Sequence, residues 1–209
     1  MELAIKNNMQ LLAHCNGDAA SYQFINQYKL AKERCNLDNY IRPVIIHAQL
    51  LPKDQLDAIK SLIMIPSFFL AHVYHWGDIH IKNFGFKRAS KISLTNSYLK
   101  KNIIFTLHQD SPVIKPNMLE TIWCAVNRVT KNKLLLGEDE RISPLDAIKA
   151  VTINGAYQYF EENTKGSIKE GKLADLIILD KNPLKVNPMD IKDIKILETI
   201  KEGNSIFEI

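Results

Sequence analysis

Short, nearly continuous apolar runs alternate with longer stretches whose apolar residues recur at three- and four-residue spacing, and the alternation repeats four times over the first 131 residues. Residues 9–14, 43–47, 63–70 and 103–107 read as buried strands, with Pro66 a flaw in the third. Residues 19–34 read as an amphipathic helix with Tyr22, Phe24, Ile25, Tyr28 and Ala31 as its stripe. Further helices are predicted over 51–60, 88–101 and 117–131, the last with a core stripe of Leu119, Ile122, Trp123 and Val126. Residues 72–85 read as a loop. Strands buried on both faces and joined by helices imply a parallel sheet with right-handed crossovers. Four such units make half of an eight-stranded barrel or a small open sheet, and periodicity does not choose between them.

The remainder changes character. Ser143-Pro144 opens a helix, with Ser as N-cap and Pro at the first helical position, running to about residue 154, and a second short helix reaches 162. The stretches 174–180, 194–200 and 205–209 read as strands, with Gly203-Asn204 as the hairpin turn between the last two. This tail is a small β element attached to an α/β part.

Composition narrows the function classes. With 209 residues, 46% apolar and 24% charged, the chain is an ordinary globular one, sized for a single domain with a small appendage. A whole (β/α)8 barrel typically takes about 250 residues, so it barely fits. The formal charge of +4 is spread out, and the basic runs 100–101 and 131–133 read as solvated faces, so nucleic acid is not an expected partner. Three cysteines without a CxxC pair fit neither a disulfide framework nor a zinc knuckle, which points to a reducing, cytoplasmic setting. The first eight residues lack an apolar signal region, and no run approaches 18 apolar residues, so no membrane partner is expected either.

The candidate chemistry gathers at strand ends. His14 closes the first predicted strand, His47 the second, and Asp110 follows the fourth. The C-terminal ends of parallel strands face a common crevice, where imidazole and carboxylate together suit Zn2+ or another first-row metal. A histidine in such a place is also commonly a packed structural residue. The stretch after the third strand brings His72, Tyr74, His75, Trp76, Asp78 and His80, either a capped surface loop or the aromatic wall of a small-ligand pocket. His108 precedes Asp110 by two residues, so on an extended strand both point the same way; it either orders the carboxylate, touches substrate or simply packs. No GxGxxG, GxxxxGK[ST] or GxSxG occurs, and His14 and Cys15, adjacent on a strand, point to opposite faces and make no nucleophilic pair.

The segments 14–20 (HCNGDAA), 42–49 (RPVIIHAQ), 66–78 (PSFFLAHVYHWGD), 105–113 (FTLHQDSPV) and 166–180 (GSIKEGKLADLIILD) resemble consecutive motifs of the amidohydrolase superfamily. The branch they resemble is amidohydrolase family 3, the exoenzyme-regulator-like and N-substituted formamide deformylase-like proteins. The resemblance covers essentially the whole chain, and its strength lies in the order and spacing of the motifs. It implies a metal-dependent hydrolase of non-peptide carbon–nitrogen bonds, on a (β/α)8 barrel with a β-sandwich built from the N- and C-terminal segments. By the same resemblance, His14 and His47 are metal ligands ending barrel strands five and six. Asp110 is the strand-eight residue that contacts metal and acts as the catalytic base. His72 is assigned to catalysis through substrate or leaving-group contact, with Trp76 and His108 as further substrate-binding positions. The implied cofactor is a divalent metal, Zn2+ the expected one, and the implied substrate a small amide-like molecule.

One departure stands out: the family's His-x-His pair of strand one and its bridging residue of strand four have no counterpart among these residues. The expected organisation is therefore a C-terminal half-barrel over residues 1–162, with strands resembling five to eight, and a segment of the composite sandwich over 163–209. Two expectations follow for a truncated or split form. Either an N-terminal half-barrel partner completes the enzyme, or the chain is an inactive remnant or a self-associating half-barrel module.

Overall fold

The computed structural model describes residues 1–36 and 40–209. A short helix α1 (Glu2–Lys6) leads into β1 (Leu12–Cys15), followed by α2 (Asp18–Cys35), β2 (Val44–His47), α3 (Leu56–Ser61) and β3 (Ile65–Phe68). Then come α4 (Ala71–Phe84), α5 (Phe86–Ala89), α6 (Thr95–Lys100), β4 (Thr106–Leu107) and α7 (Met118–Asn127). The chain closes with α8 (Pro144–Val151), α9 (Ile153–Gln158), β5 (Leu176–Leu179), β6 (Ile196–Lys201) and β7 (Asn204–Glu208).

Strands β1 to β4 form one sheet in sequence order, every pair parallel, as an α/β chain of strand–helix units requires. The register sets His14 opposite Ile46, Ile46 opposite Ser67, and Ser67 opposite Thr106. Alternation sends Cys15, Ile45, Phe68 and Leu107 into a core shared with Phe24, Tyr28, Ile59, Tyr98 and Trp123. The opposite face is open at its β1 edge, where Leu12 is 48% exposed and His14 is exposed too, while Val44, Ile65, Ser67 and Thr106 on the same face are buried.

Three expectations over residues 72–154 are corrected. Residues 72–85 are not a loop, because they form most of α4. Leu70, Val73, Gly77, Ile81 and Phe84 fall at helical spacing, and the density of His, Tyr and Trp between them obscured it. Gly77 allows the helix to approach closely, since a Cβ there would lie 2.7 Å from Thr130 Cγ2. The stretch 88–101 is not one helix but the end of α5, a turn and α6. Tertiary contacts win over local propensity there: the buried Arg128 guanidinium donates to the carbonyls of Ile92 and Ser93 in the turn. The helix opened by Ser143 ends at Val151, because Thr152 (φ −124°, ψ −92°) breaks it before α9. Its predicted cap is present, with Ser143 Oγ accepting from the Asp146 N–H at 3.1 Å.

The three last strands form a second, antiparallel sheet in the order β5-β6-β7. Lys201 pairs with Asn204, so the hairpin loop is Glu202-Gly203, one residue earlier than Gly203-Asn204. Both loop residues have positive φ, +50° and +82°, as a two-residue hairpin of matching twist demands. Between β5 and β6 the chain returns to the main core through the 3-10 turn Pro188–Asp193, where Ile191 is fully buried and the Trp123 indole donates to the Met189 carbonyl at 2.9 Å. Among the described residues no helix is long and apolar enough to cross a membrane.

Candidate functional site

The sheet gathers the sequence candidates at the C-terminal ends of its strands. His47 is the last residue of β2 and only 4% exposed, with a left-handed backbone (φ +70°) that turns its ring out of the strict alternation of the strand. A residue with a Cβ in that region carries strain, which collects where surrounding contacts over-determine a conformation. The neighbouring Ala48 is left-handed as well (φ +46°).

Around His47 lie four of the other candidates. The His14 ring meets it edge-on with centroids 4.5 Å apart, and the His108 ring is 5.0 Å away. Asp110 Oδ2 lies 4.0 Å from His47 Nε2, and the His72 ring is at 6.3 Å. Burial and the adjacent His14 lower the pKa of His47, with Asp110 pulling the other way. Burial also depresses His72, to about 3, with His80, His47 and His108 adding to the effect. His108 is lowered to about 4, by burial first and His47 second. At neutral pH these rings are uncharged, with one bare nitrogen each, the form in which imidazole binds a metal or accepts a hydrogen bond.

Residues that the sequence did not single out complete the arrangement. Ser67 Oγ is 2.8 Å from His108 Nδ1, and His108 Nε2 is 3.3 Å from His47 Nδ1. Phe69 stacks on the His108 ring at 5.7 Å and 23° and touches the His72 ring at 4.9 Å. On the other side, Gln49 Nε2 lies 2.9 Å from His80 Nε2, which is 3.3 Å from His72 Nδ1. His80 Nε2 carries one lone pair, and the shorter contact gives it to the Gln49 amide, so His72 Nδ1 adjoins a nitrogen already engaged. Trp76 packs against His72 at 5.1 Å and Phe69 at 5.9 Å, forming an aromatic side to the group. Ser67 had a signal in the sequence, as the one polar residue inside the apolar run of the third strand. Gln49 had none beyond its nearness to His47.

The other residues of the α4 cluster go elsewhere. Tyr74 packs edge-on against Trp123 at 5.2 Å, and His75 Nε2 pairs with Glu120 Oε1 at 3.0 Å. Asp78 accepts from Thr130 Oγ1 at 2.8 Å and from the Asn132 N–H. These three fasten α4 to α7 and the loop after it.

As to metal, His14, His47 and Asp110 adjoin one another in pairs through His47. Among the described residues no group of three or more His, Cys, Asp or Glu side chains is disposed to hold a metal ion. The donor types fit a first-row metal, two neutral imidazoles and a carboxylate, and they fit as part of a shell.

Residues 1–207 match the amidohydrolase family. Over 206 residues the chain is 32% identical to Protein LONG AFTER FAR-RED 3 of Arabidopsis thaliana, covering 98% of the chain and 35% of that protein. It is 25% identical over 205 residues to the N-substituted formamide deformylase of Arthrobacter pascens, covering 96% of the chain and 37% of the deformylase. An uncharacterised metal-dependent hydrolase from Pyrococcus furiosus superposes with a TM-score of 0.71 at 27% identity, over 88% of the chain and 36% of that structure. The chain thus spans little more than a third of the length of the curated relatives it matches.

Proposed function

From the premise that this chain belongs to the amidohydrolase family, we propose that it supplies the C-terminal half of a (β/α)8 metal-dependent hydrolase acting on amide-type carbon–nitrogen bonds of small molecules. The observation that carries the reading is the approach of His47 Nε2 to Asp110 Oδ2 at 4.0 Å, with His14 edge-on to the same ring, at the C-terminal side of one parallel sheet. His14, His47 and Asp110 would hold a divalent cation, Zn2+ in the first instance, together with donors from sequence outside these 209 residues. Such a cation supplies an acidified water and polarises a carbonyl, the usual route to hydrolysing an amide at neutral pH.

The chain's own residues then have distinct tasks. Asp110 has its side chain 44% exposed, so its carboxylate can take a proton from the attacking nucleophile in the cleft. His72, with a pKa of about 3, is neutral under working conditions and acts as a hydrogen-bonding contact to substrate, not as a cationic acid. Trp76 and Phe69 provide apolar walls for the substrate's carbon portion, and His108 borders it.

The second sheet fits the same reading as one part of a composite sandwich. Register sets Ile177, Thr199 and Phe207 in line across β5, β6 and β7, and Ile177 and Phe207 are both exposed. An apolar sheet face of this kind is ordinarily packed against another. Residues 1–162 and 163–209 are assigned to the half-barrel and the sandwich segment, with 188–194 returning to the half-barrel core. The inactive or self-associating module is the second reading, favoured by the incomplete donor set.

The test is hydrolysis of an N-substituted formamide by the purified chain with Zn2+, alone and with an amidohydrolase N-terminal half-barrel added. Turnover only in the mixture, abolished by Asp110→Asn, is the expected result. Turnover by the chain alone that survives Asp110→Asn would contradict the assignment.

A further inference from the structure

We propose that Ser67, His108 and His47 form a reversible hydrogen-bond chain that sets which nitrogen of His47 is bare, with His108 as the positioning residue. The inference rests on the reading of His47 as a metal ligand and assigns roles to two residues behind it. Three atoms pairs define the chain: Ser67 Oγ to His108 Nδ1 at 2.8 Å, His108 Nε2 to His47 Nδ1 at 3.3 Å, and His47 Nε2 to Asp110 Oδ2 at 4.0 Å. Ser67 is 2% exposed and His47 4%, so neither exchanges these partners freely for water. Phe69, stacked on His108, restricts the ring to the plane in which both its nitrogens are engaged.

Two proton arrangements satisfy this geometry with the same number of protons. In the first, Ser67 O–H donates to His108 Nδ1, His108 Nε2–H donates to His47 Nδ1, and His47 Nε2–H points toward the Asp110 carboxylate. Every donor then runs downhill toward the negative charge, which favours this state in the metal-free chain. In the second, His47 Nδ1–H donates to His108 Nε2 and His108 Nδ1–H donates to Ser67 Oγ. This leaves the His47 Nε2 lone pair facing a carboxylate across 4.0 Å, an arrangement that needs a cation between them. Passing from the first state to the second moves the proton of each imidazole from Nε2 to Nδ1, while Ser67 keeps its hydroxyl proton; none is gained or lost overall. A cation seated by His47 and Asp110 therefore reverses the chain, and His108 is what receives the displaced N–H.

The experiment is nitrogen-15 NMR of the imidazole rings in the full chain, with and without Zn2+, alongside Zn2+ affinity by calorimetry. Without metal, His47 and His108 are expected as Nε2–H tautomers; with Zn2+, both become Nδ1–H. His108→Phe, which keeps a ring against Phe69 but has no acceptor, should weaken Zn2+ binding at least about tenfold. His108→Gln, whose amide both donates and accepts, should restore most of the affinity and serves if the Phe variant fails to fold. Nδ1–H tautomers in the metal-free chain, or His108→Phe and His108→Gln binding Zn2+ equally, overturn the proposal and leave His47 as a ligand intact. Zn2+ affinity unchanged in His47→Ala overturns the metal assignment itself, whatever the metal-free tautomers are.

Discussion

Arg42 and Glu162 are joined by two hydrogen bonds, Nη2 to Oε1 at 2.7 Å and Nη1 to Oε2 at 3.1 Å, across 120 residues of sequence. The same guanidinium lies over the Tyr157 ring at 3.7 Å and the Phe160 ring at 4.2 Å, and donates to the Tyr157 carbonyl. It thus fastens the approach to β2, the strand that ends in His47, to the segment after α9. A planar fork held between two aromatic faces is a use that lysine cannot reproduce. Arg42→Lys should therefore destabilise the fold by about 1–2 kcal/mol. Urea unfolding of the two proteins checks this, and equal midpoints would refute it.

The buried Arg128 makes the larger prediction. Its guanidinium donates to the carbonyls of Ile92, Ser93 and Leu136, all at 2.7–2.9 Å, inside the core. Arg128→Met removes three hydrogen bonds and leaves the Ile92 and Leu136 carbonyls without a side-chain donor, while Ser93 keeps the Thr95 N–H, a loss of about 3 kcal/mol or more. The neighbouring Gly137 is equally constrained, since it has φ +75° and an added Cβ would lie 2.3 Å from the Ser90 carbonyl oxygen. Thermal unfolding of Arg128→Met and Gly137→Ala should give the two largest drops in Tm outside the strands.

Stability should also fall with acid in a defined window. His72 and His108 have folded-state pKa values of about 3 and about 4, both below an unfolded value near 6.5. Above that unfolded value both states hold these rings neutral and the contribution is complete. As pH falls, the unfolded chain takes up protons that the folded one refuses, so stability is lost progressively until the folded values are passed. Denaturant midpoints measured in metal-free buffer from pH 7.5 to 4.5 should decline below about pH 6.5, and the decline should be shallower in His72→Gln. A pH-independent midpoint over that range would contradict the burial of these rings.

The strand ends bearing His14 and His47 were legible in the sequence, because four-residue apolar runs between helical stretches have few alternatives in an α/β chain. The parallel order followed from the same alternation. The helix carrying His72 was not legible, since its buried stripe is made partly of Gly77 and runs among titratable and aromatic residues that suggest a loop. The break between α5 and α6 was hidden for a different reason: the partner that satisfies its carbonyls, Arg128, lies 35 and 36 residues away in sequence. Within the site, His47, His108 and Asp110 could be assembled from strand ends, whereas the left-handed turn that aims the His47 ring is a backbone property no motif displays.

His14, His47 and Asp110 are proposed as partners in holding one divalent cation. Calorimetric titration of the metal-free chain with Zn2+ tests this most directly, comparing the native sequence with His47→Ala and Asp110→Asn. The expected result is weak binding, as befits a partial shell, reduced at least about tenfold by either substitution while the fold persists by circular dichroism. Binding of equal strength in all three proteins, at a site indifferent to His47 and Asp110, would contradict it.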